Sequence, residues 1–183
     1  MSRILWGITG SGDRVEEVLN AMLTIHNTTG TRVDVIVSRA GEQVWRRYGL
    51  WDRLNKSFSK VKKETNANVP FVAGPLQVGK YDLLIIAPLT ANSTAKIAYG
   101  IADTLVTNAV AQTLKGITPV MVYPVDQKPG QVEIISPEGI KSVIKTREID
   151  LQNASRLREM EGVTVVASPI EIPEKAAAIL GAK

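Results

Sequence analysis

The sequence predicts an α/β fold with a central parallel sheet and helices on both of its faces. Short apolar runs alternate with segments of helical periodicity along the whole chain. The run at 81–87, Tyr-Asp-Leu-Leu-Ile-Ile-Ala, is continuous and apolar, as expected of a strand that is covered on both faces. Strands and helices that alternate in this way form a parallel sheet through right-handed crossovers.

Each segment of the first half fits this alternation. The apolar run at 3–8 predicts the first strand. Apolar residues at helical spacing then predict a helix at 13–26, with Asp13 as its N-terminal cap. A β-branched run predicts a strand at 32–37, and a helix at 40–48 follows it.

The second half continues the pattern after the central strand. Helical structure is predicted at 94–114, interrupted near Gly100, and a buried strand at 117–123. Three prolines and two glycines within 124–139 indicate a loop or a hairpin. The remaining pattern predicts three closing elements, a helix at 150–161, a strand at 163–167 and a helix at 172–180.

Length and composition limit the classes of protein to consider. With 183 residues, 44% of them hydrophobic and 22% charged, the chain fits one globular domain over 1–183. The lack of cysteine excludes disulfides, thiolate metal sites, a cysteine nucleophile and a cysteine-ligated iron–sulfur cluster. No apolar stretch reaches the roughly 20 residues of a membrane span, and the apolar start is too short for a signal peptide, so we expect a cytoplasmic protein without a membrane partner.

The net charge of +4 is concentrated in one segment, residues 45–64. Its basic residues outnumber Asp52 and Glu64; they are Arg46, Arg47, Arg53, Lys56, Lys60, Lys62 and Lys63. Such a patch attracts an anionic partner, for example a phosphorylated cofactor or an acidic redox protein, but it is equally typical of a solvated helix face. A charge of only +4 does not indicate a nucleic-acid-binding protein.

Two polar loops follow the first two predicted strands. Open parallel sheets bind ligands beyond the carboxyl ends of their strands, where helix N-termini present free N–H groups. In the first loop, Gly-Ile-Thr-Gly-Ser-Gly at 7–12, glycines let the backbone approach a phosphate, and Thr9 and Ser11 add hydroxyl groups. The alternative is a tight turn from strand to helix. After the second strand, Ser38 is placed either to bind the same phosphate or to cap the next helix.

The third polar loop leaves the central buried strand and reads Pro-Leu-Thr-Ala-Asn-Ser-Thr at 88–94. Strand-to-helix geometry does not require so many polar residues, which favours a bound polar ligand. Asn92 offers both a donor and an acceptor, which suits the pyrimidine edge of a flavin or a ribityl hydroxyl. The alternative is an elaborate helix cap made by Thr90 or Asn92.

These motifs together resemble the homo-oligomeric flavin-containing cysteine decarboxylase superfamily. The resemblance covers about 3–125 and depends on Gly-Ile-Thr-Gly-Ser at 7–11, Ser-Arg-Ala at 38–40, and Pro-Leu-Thr-Ala-Asn-Ser at 88–93, where the family usually has Pro-Ala-Ser-Ala-Asn-Thr. It implies a Rossmann-like (flavodoxin-like) three-layer fold, a bound FMN, and a homotrimer or an assembly of trimers. It also implies an FMN-binding core at 1–125, followed by a C-terminal part at 126–183.

The resemblance assigns cofactor-binding roles residue by residue. It implies that the first two loops hold the phosphate and the ribityl chain of FMN and that the middle loop contacts the flavin ring. The segment at 102–104 would lie near the flavin at the trimer interface. The residues are Thr9, Gly10, Ser11, Gly12, Ser38, Ala40, Leu89, Thr90, Ala91, Asn92, Ser93, Ala102, Asp103 and Thr104.

The chain departs from the decarboxylases of this superfamily. Those enzymes carry a catalytic histidine soon after the second strand and a Pro-x-Met-Asn motif in a later loop. Here the single histidine, His26, falls in the first predicted helix, and the later loop reads Tyr-Pro-Val-Asp-Gln at 123–127. Cysteine decarboxylation is therefore disfavoured, as is flavin prenyl transfer, and we assign no catalytic residue and no metal ligand.

The remaining resemblance is to the archaeal branch, the archaeoflavoproteins and the dihydromethanopterin reductases. A flavin carries electrons itself, so no general base is required of the protein. The main hypothesis is an FMN-binding flavoprotein that transfers electrons from a reduced carrier such as ferredoxin to an acceptor. Ferredoxin would dock on the basic segment and Trp45, Tyr48 and Trp51, although these aromatic residues would equally serve in packing. The alternatives are a pterin reductase that uses the same FMN and, outside redox chemistry, a flavin-free regulatory protein.

Overall fold

The computed structural model describes residues 2–28 and 31–181 and has the predicted three layers. Its strands are β1 Arg3–Ile8, β2 Arg32–Val37, β3 Val61–Lys63, β4 Leu83–Leu89, β5 Val120–Pro124, β6 Gln131–Ile135, β7 Lys141–Lys145 and β8 Val163–Val165. Its helices are α1 Val15–Thr28, α2 Arg39–Arg47, α3 Trp51–Ser57, α4 Ala73–Gln77, α5 Ala91–Ala98, α6 Leu105–Thr113, α7 Glu148–Glu159 and α8 Ile172–Gly181, the last preceded by a 3-10 turn at Pro169–Glu171.

Six strands form one parallel sheet in the order β3-β2-β1-β4-β5-β8, which confirms the predicted α/β class. The chain order reverses at β1, whose neighbours are β2 on one side and β4 on the other. A crevice opens at such a reversal beyond the carboxyl ends of the strands, because the connecting helices lie on opposite faces of the sheet. The polar loops after β1, β2 and β4 all emerge at this edge.

The hydrophobic core lies on both faces of the sheet. All seven residues of β4 are buried, as predicted for a central strand. Alternate side chains of β1 pack on opposite faces, with Trp6 against the helices α1 and α8 and Leu5 against α4 and α6. This double burial explains why the central strands read as continuous apolar runs.

Several boundaries differ from the predictions for physical reasons. Helix α1 begins at Val15 and not at Asp13, because Arg14 has a φ of +49°, outside the helical region. The Asp13 carboxylate accepts a hydrogen bond from the Tyr123 hydroxyl (3.3 Å), and no cap by it is found within the described residues. The helical stretch after β4 divides as predicted, and Gly100 has a φ of +73° in the connection. The short elements α3, β3 and α4 were not predicted, because three to seven residues carry too little periodicity.

The proline- and glycine-rich segment is a hairpin outside the main sheet. Strands β6 and β7 pair antiparallel, from Gln131 opposite Lys145 to Ile135 opposite Lys141. Most of their side chains are exposed. One ion pair links the hairpin to α2: a guanidinium nitrogen of Arg47 lies 2.8 Å from a carboxylate oxygen of Glu138. Within the described residues, no helix has the length and apolar character needed to cross a bilayer.

Candidate functional site

The loop after β1 forms a narrow glycine-lined turn against α2. A Cβ on Gly10 would lie 2.6 Å from the Cβ of Ala40, and one on Gly12 would lie 2.5 Å from the ring of Tyr48. Only glycine therefore fits at these positions without movement of α2 or Tyr48. Within the described residues, no hydrogen bond is found for the N–H groups of Gly10 and Gly12. This loop can therefore offer backbone donors to an anion.

Thr9 joins this first loop to the loop after β4. Its hydroxyl donates to the carbonyl of Pro88 (2.7 Å) and accepts the N–H of Thr90 (2.9 Å). Its own N–H also bonds Pro88 (3.2 Å), and only 2% of the residue is exposed. The Thr9 hydroxyl is therefore committed to holding the two loops together.

Ser38 adopts the capping role that was one of its two alternatives. Its side chain accepts the N–H of Gly41 (3.0 Å) at the N-terminus of α2. Its own N–H donates to the carbonyl of Ile8 (2.9 Å), which places Ser38 beside the first loop. Its neighbour Ala40 is exposed and contacts the same loop at Gly10.

The middle loop begins with a cis peptide bond between Ala87 and Pro88 and leads into α5. Thr90 caps that helix, accepting the N–H of Ser93 (3.3 Å) and donating to its hydroxyl (3.1 Å). Asn92 is exposed in the first turn, so its amide is open to a ligand or a neighbouring molecule. Of the other predicted residues of this loop, Leu89 is buried and Ala91 is partly exposed.

The segment before α6 is held at the same edge. Thr104 caps α6 in a reciprocal pair with Thr107, and Ala102 is partly exposed. Asp103 pairs with Lys96 of α5, both carboxylate oxygens lying 2.8 Å from the ammonium nitrogen. Hydrogen bonding to Lys96 lowers the pKa of Asp103.

Glu64 contributes to this edge and was not among the predicted site residues. Its carboxylate accepts the N–H of Arg39 (3.1 Å), the first residue of α2, and the N–H of Leu105 (2.7 Å), the first residue of α6. It thereby joins the two helices that carry Ser38 and Thr104. No sequence signal indicates this contact, because Glu64 follows a three-residue strand within a basic segment.

A cavity of about 600 Å³ opens on the first loop. Its volume is within the usual range for small-molecule sites. Its walls come from the first loop, the end of β5 and the residues after it, Tyr48 immediately after α2, and the hairpin. The lining residues are Gly10, Ser11, Gly12, Asp13, Arg14, Tyr48, Tyr123, Val125, Asp126, Gln127, Lys128, Val132, Glu133, Ile134, Ile135, Ile144, Thr146 and Ala167. The middle loop and Ser38 are not part of this lining.

Acidic groups and a phenol define the electrostatics of this cavity. Burial raises the pKa of Asp13 and outweighs the hydrogen bond from Tyr123. Burial, reinforced by the Asp13 charge, also raises the pKa of Tyr123. Burial raises the pKa of Asp126, and the negative charges of Asp150 and Asp13 add to the effect. Asp150 differs from Asp126, because hydrogen bonds from Arg147 lower its pKa.

The basic segment beside the site is partly neutralised. Arg46 pairs with Glu42 (2.8 Å) and stacks over Trp51, its guanidinium carbon 4.8 Å from the ring centre. Trp45 and Trp51 pack in the core, which was the alternative to a docking role. His26 packs edge-on against Phe58 at the end of α1, away from this edge.

Comparisons with known proteins agree with this architecture. The model of the family described as Flavoprotein matches residues 1–180. An uncharacterized protein of Methanocaldococcus jannaschii is 48% identical, and the match covers 94% of this chain and 92% of that protein. The dihydromethanopterin reductase (acceptor) of the same organism is 30% identical, with 94% of each chain covered.

A solved structure shares both fold and sequence. The crystal structure of Burkholderia xenovorans DmrB in complex with FMN, described as a cubic protein cage for redox transfer, superposes with a TM-score of 0.82. It is 34% identical, and the match covers 99% of this chain and 96% of that one. The predicted resemblance to the flavoprotein superfamily and to its dihydromethanopterin reductases is thereby confirmed. This chain belongs to the Flavoprotein family.

Proposed function

We propose that this chain binds FMN at the edge formed by the loops after β1, β2 and β4 and uses it to reduce a dihydropterin-type substrate. One observation carries the proposal: the cavity of about 600 Å³ opens directly on a glycine loop whose Gly10 and Gly12 N–H groups have no acceptor within the described residues. The relatives support it, since one dihydromethanopterin reductase aligns over 94% of the chain and DmrB is described with FMN.

The residues at this edge fit FMN without a charged phosphate clamp. Gly10 and Gly12 would donate backbone N–H groups to the phosphate, and the hydroxyls of Ser11 and Ser38 would extend this contact. The first turn of α5, with Ala91, Asn92 and Ser93, would face the ring. The Thr9 hydroxyl is already bonded to Pro88 and Thr90, so we assign Thr9 the positioning of both loops.

FMN, when bound, supplies the hydride or the electrons of the reaction. The chain's own residues would orient the two ligands and limit water. Tyr48 offers a flat aromatic wall for a heterocyclic substrate, and Tyr123 lines the cavity with only 3% of the residue exposed. The hairpin side chains Val132, Ile134 and Ile144 cover the cavity.

The direct test is anaerobic reduction of the purified protein, with dihydropterin turnover followed beside the flavin spectrum. We expect an oxidised-flavin spectrum as purified or after addition of FMN, about one FMN per chain, and turnover of the dihydropterin once the flavin is reduced. A protein that stays colourless with excess FMN would contradict the binding proposal. A flavin that is reduced but never reoxidised by the dihydropterin would contradict the substrate proposal.

Electron transfer from a reduced carrier is the second candidate. It is favoured by the exposed side chains of Lys56, Lys60 and Lys62, which form no ion pair within the described residues. An acidic carrier such as ferredoxin would be drawn to them. Neutralising all three should slow flavin reduction by ferredoxin and flatten its salt dependence. An unchanged rate and salt dependence would exclude this docking surface.

We also propose a homo-oligomer in solution, with the segment at 102–104 near its contact. Tyr99 and Ile101 are about half exposed (55% and 49%) immediately before this segment, and a covered surface would shield them from water. The relative DmrB is described as a cubic cage. Light scattering on wild-type protein and on I101K tests this: we expect an assembly that the charge weakens, and a monomeric wild-type protein would contradict it.

A further inference from the structure

Asp126 is a cavity carboxyl group without a partner among the described residues. It lies just after β5, half buried, and no hydrogen bond or ion pair to it is found within the described residues. The neighbouring carboxyl groups differ in this respect, because Asp13 accepts the Tyr123 hydroxyl and Asp150 is held by the Arg147 guanidinium at 2.8 Å. A partly desolvated carboxylate without protein donors is less favourable than a bonded one, so this position suits donors that a ligand brings.

The side chains that line the cavity limit which hydrogen-bond donors a ligand can bring to Asp126. Tyr48 provides aromatic surface, to which the 3%-exposed Tyr123 adds little, and Val132 and Ile144 provide apolar surface on the hairpin. Flat heterocycles suit such walls. A carboxylate has two oxygens and accepts two parallel N–H bonds most favourably, as in its pairing with guanidinium.

We propose that Asp126 recognises the N–C–NH2 edge of a flat heterocycle, a ring N–H beside an exocyclic amino group, and thereby sets the substrate specificity of this cavity. This inference rests on the proposed function, whose substrate class carries such an edge. Beyond the substrate class, it names Asp126 as the residue that binds this edge. It also explains why a heterocycle with an oxygen in place of the amino group is rejected. That oxygen would place an acceptor against an acceptor.

Other charged groups near Asp126 affect its charge but do not take over its role as the acceptor for the ligand. Asp13 and Asp150 repel its charge and Arg147 attracts it, while Lys128, Arg14 and Glu133 line the same cavity. Arg14 is already paired with Glu17, and Glu133 with Lys141 at 3.5 Å. Burial raises the pKa of Asp126, and the carboxylate must be ionised to accept both bonds. Affinity for the ligand should therefore fall as the pH is lowered through that pKa.

The test compares two probes on the FMN-saturated protein by calorimetry. Pterin (2-amino-4-oxopteridine) carries the edge, whereas lumazine (2,4-dioxopteridine) has oxygen in place of the amino group. Wild-type protein should bind pterin at least about tenfold more tightly than lumazine. D126N should lose this preference, because the amide has one acceptor oxygen beside an NH2 donor and cannot accept both parallel N–H bonds. E161Q removes one negative charge at an exposed position outside the cavity lining and should keep the preference.

Three outcomes would overturn the inference: equal affinity of wild-type protein for the two probes, no binding of either, or a preference that survives in D126N. Far-UV circular dichroism checks the fold of the variant. If D126N does not fold, the wild-type pH dependence decides, since pterin binding should weaken at low pH while lumazine binding should not. FMN content measured on the same samples shows separately whether the proposed function itself fails.

Discussion

The hydroxyl oxygen of Thr9 lies 2.9 Å from the backbone nitrogen of Thr90, although 81 residues separate the two positions. The same hydroxyl donates to Pro88. One buried side chain thus sets the spacing between a glycine loop and the N-terminus of α5, the two features that the proposed FMN site requires. The geometry of the site therefore depends on a contact that belongs to neither loop alone.

Replacing Thr9 with valine tests this link. T9V keeps the side-chain volume but leaves the Thr90 N–H without its acceptor, so we expect a loss of about 2 kcal/mol in the free energy of unfolding. FMN affinity should fall as well, because the loops lose their register. Urea unfolding and a flavin titration measure the two effects. T24V, which removes an exposed hydroxyl bonded to Asn20 in α1, should change stability by less than about 0.5 kcal/mol.

Gly10 should tolerate no side chain while Ala40 is present. In G10A the new Cβ would lie 2.6 Å from the Ala40 Cβ, which forces the loop away from α2. We expect FMN to bind at least about tenfold more weakly, equivalent to about 1.4 kcal/mol. The double variant G10A/A40G removes the nearest clashing atom and should recover part of the affinity, although glycine within a helix lowers stability by about 1 kcal/mol. Equal affinities for G10A and wild type would refute this packing argument.

Glu64 should contribute to stability and to FMN binding although it does not line the cavity. In E64Q only one oxygen remains to accept the N–H groups of Arg39 and Leu105, and the negative charge at two helix N-termini is lost. We expect a loss of about 1 to 2 kcal/mol in stability together with weaker FMN binding. E161Q, at an exposed position after α7, serves as the charge-matched control and should behave like wild type.

Stability at low pH should depend on Asp34 at the opposite end of the sheet. Burial alone would raise the pKa of this carboxyl, but hydrogen bonds from Arg32, Tyr81 and Arg3 outweigh burial and lower it. The folded state therefore gains stability above the unfolded pKa of about 3.9, and this gain disappears as the pH falls through the lower folded value.

The D34N variant separates this contribution from the rest of the protein. At pH 7 we expect it to lose about 2 kcal/mol, less than for a fully buried pair, because Arg3 and Arg32 remain 37% and 39% exposed. The loss relative to wild type should shrink below pH 4. Urea unfolding at pH 3, 5 and 7 measures it, and a difference that does not change with pH would contradict the assignment.

The sequence by itself determined the sheet and the place of the polar loops. Apolar runs such as β4 and helical periodicity are local signals, because burial on both faces requires them residue by residue. The glycines at 10 and 12 and the caps at Ser38 and Thr90 are local for the same reason, since each serves the turn in which it stands.

Only the tertiary structure decided which groups meet. The bond from Tyr123 to Asp13 spans 110 residues, and the ion pair from Arg47 to the hairpin spans 91. Neither partner carries a pattern that identifies the other. Three features arise from the order of strands in the sheet. They are the cavity beneath the hairpin, the carboxyl group of Asp126, which has no partner among the described residues, and the carboxylate of Glu64 across two helices. Strand order is set by packing between segments far apart in the chain, which local periodicity does not encode.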